Sequence, residues 1–226
     1  CEVNTYKDES LFAATPPLEA LRMILSWTAS GPRTGSQKRK ILKIDVRKAH
    51  LHVFATREIY VQLPAELRAK HPGKCWLLNR CLYGARDAPS NWENLYIEQL
   101  GKLGFRSGTA ISCCFYNKEL GARCVVHGDD FTFSGSEKSL DIIENGMTKL
   151  FMCKIEGRLG DGPKDLQEIR ILNRIVSWQS WGIQYEPDPR HAEILIRELD
   201  VKVSEHVVTP GSKWKPEEIE KAEELS

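Results

Sequence analysis

The chain has 226 residues, 41% hydrophobic and 28% charged, which fits an ordinary soluble globular protein long enough for one large domain or two small ones. Its net charge of +1 makes no case for nucleic acid by itself. No apolar run is long enough to span a bilayer, and the first residues do not form a secretory leader.

Seven cysteines, an odd number without a C-x-x-C pair, argue against a zinc site and against a disulfide framework. Reduced thiols in an intracellular protein are the expectation, cytoplasmic or nuclear, not secreted and with no membrane partner. Starting at Cys1 rather than Met, the sequence reads as a piece of a longer chain.

Thr15, Pro16 and Pro17 precede Leu18, Leu21 and Leu25, which predicts a helix opened by proline with one buried face. Residues 31–37 (GPRTGSQ) read as a loop. Arg33, Lys38, Arg39, Lys40, Lys43, Arg47 and Lys48 then crowd together, interrupted by Asp45. That run is either a solvated face or a phosphate-contacting strip.

Residues 41–46 (ILKIDV) predict a strand with Asp45 near its end. A carboxylate among Ile and Val needs a partner. Asp45 is therefore either a strand-end or helix-capping residue or a metal ligand projected from the strand. Residues 58–63 alternate like a half-exposed strand ending at Pro64, and 75–79 read as another. Leu82, Tyr83 and Gly84 make a turn, and Asp87, Ala88 and Pro89 open an amphipathic helix carrying Trp92, Leu95, Tyr96, Leu100 and Leu103.

Residues 113–116 and 123–126 predict a strand pair, followed at 125–133 (VVHGDDFTF) by a hairpin with Asp129 and Asp130 at its tip. Gly128 supplies the backbone freedom of the turn. Adjacent carboxylates raise one another's pKa, and a hard divalent cation relieves that repulsion using carboxylate oxygens and substrate phosphates. A solvated Asp-Asp turn is the plainer reading of these residues alone.

Ser136 caps the next helix, with Leu140, Ile143, Met147, Leu150 and Phe151 on one stripe. Further strands are expected at 154–156 and within 169–178, and a short extended piece at 182–185. Asp188 and Pro189 start another helix, with Ala192, Leu195, Ile196 and Leu199 as its buried face and His191 as a surface or packing residue. The last dozen residues read as an exposed, charged helix.

Three carboxylates converging beside a groove can hold two Mg²⁺ ions for phosphoryl transfer. The ordered motifs resemble the reverse transcriptase of copia-type LTR retrotransposons. The family's Asp-Val-x-x-Ala-aromatic-Leu motif is matched by Asp45, Val46, Ala49, His50 and Leu51. Its Leu-Tyr-Gly-Leu-Lys-Gln-Ala-Pro-x-x-Trp motif is matched by Leu82, Tyr83, Gly84, Ala88, Pro89 and Trp92, with Ala85, Arg86 and Asp87 at the intervening positions. Its Tyr-Val-Asp-Asp box corresponds to His127, Gly128, Asp129 and Asp130, and a downstream Thr-Pro to Thr209 and Pro210.

The resemblance implies an α+β fold, a palm-type antiparallel sheet backed by helices with incomplete fingers. It divides the chain into a leading helix and partial fingers at 1–37, palm and adjoining connection at 38–210, and a charged tail at 211–226. It implies that Asp45, Asp129 and Asp130 are both the catalytic residues and the ligands of two Mg²⁺ or Mn²⁺ ions. It puts His50, Tyr83, Gly84, Arg86 and Gly128 against nucleotide and template. The implied partners are an RNA or DNA template with its primer, deoxynucleoside triphosphates, and the integrase and RNase H segments of a Pol polyprotein.

Two other readings stand beside this one. The chain is a catalytically decayed fragment that at most binds nucleic acid, or it is a metal-dependent nuclease or other Asp-rich binding domain. The last leaves the Tyr-Gly, Ala-Pro and Trp segment between the acidic motifs unexplained.

Overall fold

Alternation in the 41–46 run builds the fold outward from a single strand, β1 (Arg39–Val46). Side chains of a strand alternate between faces, so Leu42, Ile44 and Val46 lie on one side and Ile41, Lys43 and Asp45 on the other. In this computed structural model, which describes residues 13–32 and 34–199, the chain divides into two units, Cys1–Glu186 and Pro187–Ser226. The Thr209 and Pro210 match and the tail at 211–226 lie outside the described residues, as does Arg33.

The first unit opens with α1 (Leu18–Ala29), which starts directly after Pro17 as expected, and then β1. A short 3₁₀ turn, Ala49–His52, leads to a two-stranded ribbon of β2 (Tyr60–Gln62) and β3 (Cys75–Leu77), with α2 (Ala65–Arg68) between them. There follow α3 (Ala88–Lys102), β4 (Arg106–Ser107), β5 (Cys114–Asn117), β6 (Ala122–His127), β7 (Asp130–Ser136) and α4 (Glu137–Leu150). Last come β8 (Cys153–Leu159), β9 (Glu168–Ile171), β10 (Arg174–Gln179) and β11 (Gly182–Pro187).

Six strands form one antiparallel sheet in the order β4-β5-β6-β7-β1-β8, and β11-β10-β9 form a second. One face of the main sheet packs Leu42, Ile44, Val46, Val126, Phe131 and Phe133 against Trp92, Tyr96 and Leu100 of α3 and Leu140, Ile143 and Met147 of α4. The other packs Ile41, Val125 and Leu159 against Leu21, Ile24 and Leu25 of α1 and Ile169, Ile171 and Val176 of the second sheet. Ser136 caps α4 as its sequence predicts, its hydroxyl accepting from the Ser139 amide at 3.3 Å.

Asp87 directly precedes α3, as expected, and makes no side-chain cap. It is buried, and its carboxylate accepts from Asn91, Thr56 and Arg57 at 3.1, 3.2 and 3.2 Å, tying the helix start to the segment after the 3₁₀ turn. In the second unit, α5 (Arg190–Glu198) keeps the predicted periodicity, but Leu195, Ile196 and Leu199 are exposed rather than buried.

Among the described residues no helix is long and apolar enough to cross a membrane, and Cys75, Cys81, Cys113, Cys114, Cys124 and Cys153 are all free thiols.

Candidate active site

The end of β1 meets the hairpin of β6 and β7. The antiparallel register sets Asp45 directly opposite Asp130 and His127 opposite Asp130 across the turn. Gly128 and Asp129 alone form that turn. Gly128 has φ +63° and Asp129 a negative φ, the pattern of a tight two-residue hairpin with glycine first. Asp129 is thus the exposed tip, whereas Asp130 is the half-buried first residue of β7, a finer division than two carboxylates sharing the tip.

Two hydrogen bonds fix the hairpin in place. The Val46 amide donates to the Asp129 carbonyl at 2.9 Å, and the Trp92 indole N–H donates to the Gly128 carbonyl at 2.8 Å. Trp92 is itself locked edge-on against Tyr96, Phe131 and Phe151.

Lys43 is two residues before Asp45 on the same face. Its ammonium is 2.9 Å from Glu156 and 3.4 Å from Asp130. Glu156 reaches it because β8 is bulged. Lys43 pairs with Gly157 and Ile44 with Ile155, so Glu156 is the extra residue that re-aims the strand. Gly157 takes φ +138°, backbone that a residue with a Cβ resists. The second Glu156 oxygen accepts from Lys154 at 2.9 Å.

Burial pushes the Asp130 carboxyl up, Lys43 pulls it down, and Asp129 and Asp45 push it up again, leaving it above the ordinary carboxylate value. Glu156 goes the other way, held down first by the Lys154 hydrogen bond and then by Lys43. Carboxylate oxygens are the donors a hard cation takes, and Asp45, Asp129 and Asp130 carry them at the same end of the sheet. Among the described residues no group of three His, Cys, Asp or Glu side chains is placed to hold a metal ion.

His50 and Tyr83 come together, their ring centroids 4.4 Å apart and tilted by 32°. Burial lowers the His50 pKa, and the Asp129 charge partly restores it, so this ring faces the hairpin tip electrostatically. Its Nδ1 is buried without a hydrogen-bond partner. Gly84 follows Tyr83 at φ +94°, and half-buried Arg86 lies between that turn and α3.

The basic run is not an open phosphate strip over most of its length. Lys38 pairs with Asp161, Lys40 with Glu137 and Asp165, and Lys43 with Glu156 and Asp130. Arg39 lies over the Trp27 ring at 3.8 Å. Arg47 and Lys48 are the exposed members nearest Asp45. Lys43, Lys154 and Glu156 went unrecognised as site residues. None left a signal: alternation sets Lys43 with Asp45 on the polar face of the strand, and its burial shows only in the structure.

Residues 4–159 match the family described as reverse transcriptase (RNA-dependent DNA polymerase). The chain belongs to that family. Within it, the chain is a copia-type retrotransposon segment, 22% identical over 208 residues to the retrovirus-related Pol polyprotein from transposon TNT 1-94 of Nicotiana tabacum. That alignment covers 89% of this chain and 14% of the polyprotein. A solved structure of telomerase from Candida albicans, in complex with a TWJ fragment of telomeric RNA, is 12% identical. It covers 81% of this chain and 37% of that one, with a TM-score of 0.35.

Proposed function

We propose that this chain is the polymerase segment of a copia-type element, an RNA-directed DNA polymerase that extends a primer 3′-hydroxyl on an RNA or DNA template. The observation that carries the reading is the strand register placing Asp45 opposite Asp130, with Asp129 at the adjoining turn. In this reading the main sheet is the palm, and the β2 and β3 ribbon belongs to the fingers. The integrase and RNase H segments of the polyprotein are its covalent neighbours.

Asp45, Asp129 and Asp130 would hold two Mg²⁺ or Mn²⁺ ions, which when bound supply activation of the attacking hydroxyl and stabilisation of the leaving phosphate oxygens. The chain's own residues do the positioning. Trp92 holds the turn by the Gly128 carbonyl, and Gly128 leaves the tip without a side chain where a primer end approaches. His50 and Tyr83 form a two-ring wall that borders the incoming deoxynucleoside triphosphate, with Gly84 and Arg86 beside it.

A second reading, a fragment that binds nucleic acid without polymerising, is favoured by the ion pair that engages Asp130 with Lys43. Primer extension on an RNA template with Mg²⁺ or Mn²⁺, beside Asp129→Asn and Asp130→Asn, separates the two. Extension abolished in both variants supports the polymerase. Nucleic-acid binding without extension, with the upstream reading frame restored, supports the second reading.

A further inference from the structure

We propose that Lys43 is a built-in counter-cation that holds Asp130 back from a divalent metal, with Glu156 setting the strength of that hold. The inference rests on the polymerase reading of Asp45, Asp129 and Asp130.

Lys43 is only 8% exposed. An ammonium is tolerated at that depth only where carboxylates face it. Those facing it are Asp130 from β7 at 3.4 Å and Glu156 from β8 at 2.9 Å. The same strand also presents Lys154, which shares Glu156. Two residues earlier on the same face stands the fully buried Ile41, so the lysine takes a position where the packing alone calls for an apolar side chain.

A divalent ion at Asp130 meets an ammonium a few ångströms away, and like charges in a partly dry site repel strongly. The Asp130 carboxylate therefore has two competing cations. With Lys43 in place, metal entry relies on Asp45 and Asp129, and Asp130 joins only by leaving the lysine. Glu156 weakens the hold because it draws the same ammonium toward β8. The bulge at Glu156 is what brings this second carboxylate within reach.

The test is Mn²⁺ binding to the whole chain, read by electron paramagnetic resonance of the free ion. Lys43→Gln should tighten Mn²⁺ by about tenfold, as expected for removing one charge beside a ligand. Glu156→Gln should loosen it by several-fold, and Lys43→Arg should leave it within about twofold, since the charge is kept. Asp130→Asn should change affinity little in the native chain and strongly in the Lys43→Gln background.

Opposite signs for Lys43→Gln and Glu156→Gln do not arise from general loosening. If Lys43→Gln fails to fold, Glu156→Gln and Lys43→Arg decide the matter. Binding that depends on Asp45, tested by Asp45→Asn, but is unmoved by these substitutions overturns the Lys43 proposal and leaves the polymerase site standing. Binding that survives Asp45→Asn, or no binding in any variant, overturns both.

Discussion

The Trp92 indole nitrogen donates to the Gly128 carbonyl at 2.8 Å, joining the first buried turn of α3 to the tip of the carboxylate hairpin. The two residues are 36 apart in sequence. The helix that packs the core thus also sets where Asp129 stands. Trp92→Phe keeps most of the ring contacts and removes the donor. It should lower stability by about 1 kcal/mol, the usual net worth of one hydrogen bond. Trp92→Ala, which also empties a core position, should cost about 3–5 kcal/mol. Urea denaturation measures both, and equal costs for the two would show that the N–H, rather than the packing, dominates.

The helical spacing of Trp92, Tyr96 and Leu100 made α3 readable, and alternation did the same for β1, β6 and β7. These patterns report burial, and burial decides where elements form. The bond from Trp92 to Gly128 was not readable, because its acceptor is a backbone carbonyl with no sequence signature. The bulge at Glu156 was hidden for a related reason: 153–159 keeps a strand-like composition whether or not one residue is extra, and only the register against β1 reveals it. Leu172 and Asn173, inside a stretch read as strands, are instead a two-residue turn with φ +49° and +58°. Asn173 was the available clue. The apolar stripe of α5 was legible as a pattern, but periodicity does not say what, if anything, covers a face.

Gly128 needs its conformation and not its small size. A Cβ built there meets no heavy atom within 4 Å, yet its φ is +63°. Gly128→Ala should therefore cost about 1–2 kcal/mol of backbone strain without a clash. Gly128→Asn, a residue that tolerates positive φ, should recover part of that loss. Denaturant midpoints for the pair check it. A larger loss for Asn than for Ala would mean that space at the tip, rather than φ, is limiting.

His50 reports on the hairpin tip. Burial depresses its pKa below 6.5 and Asp129 opposes that effect. Removing the carboxylate in Asp129→Asn should lower the His50 value further, which imidazole chemical shifts recorded against pH in divalent-free buffer will show. A depressed folded value also means that His50 contributes stability above pH 6.5 that is lost as the pH falls through its folded pKa. His50→Gln should flatten that part of the stability profile. A rise in the imidazole pKa in Asp129→Asn would mean that Asp129 does not act on this ring as the geometry requires.

Asp130 should make the fold less stable at neutral pH in the absence of divalent ions. Its folded pKa is raised above 3.8, by burial first and by Asp129 and Asp45 in addition, with Lys43 only partly compensating. Stability from such a group is fully present below the unfolded value and is lost as the pH rises through the folded one. Asp130→Asn supplies a neutral side chain of the same shape, so it should be more stable than the native chain at pH 7. The gain should shrink as the pH is taken below 3.8, where Asp130 is protonated in both folded and unfolded chains. Because metal entry in the native chain relies on Asp45 and Asp129, Mg²⁺ should stabilise both chains and leave the gap at pH 7 nearly unchanged. Urea melts of both chains at the two pH values, with and without Mg²⁺, measure all three effects. An Asp130→Asn chain less stable at pH 7 would mean that the Lys43 ion pair outweighs the burial and repulsion around this carboxylate.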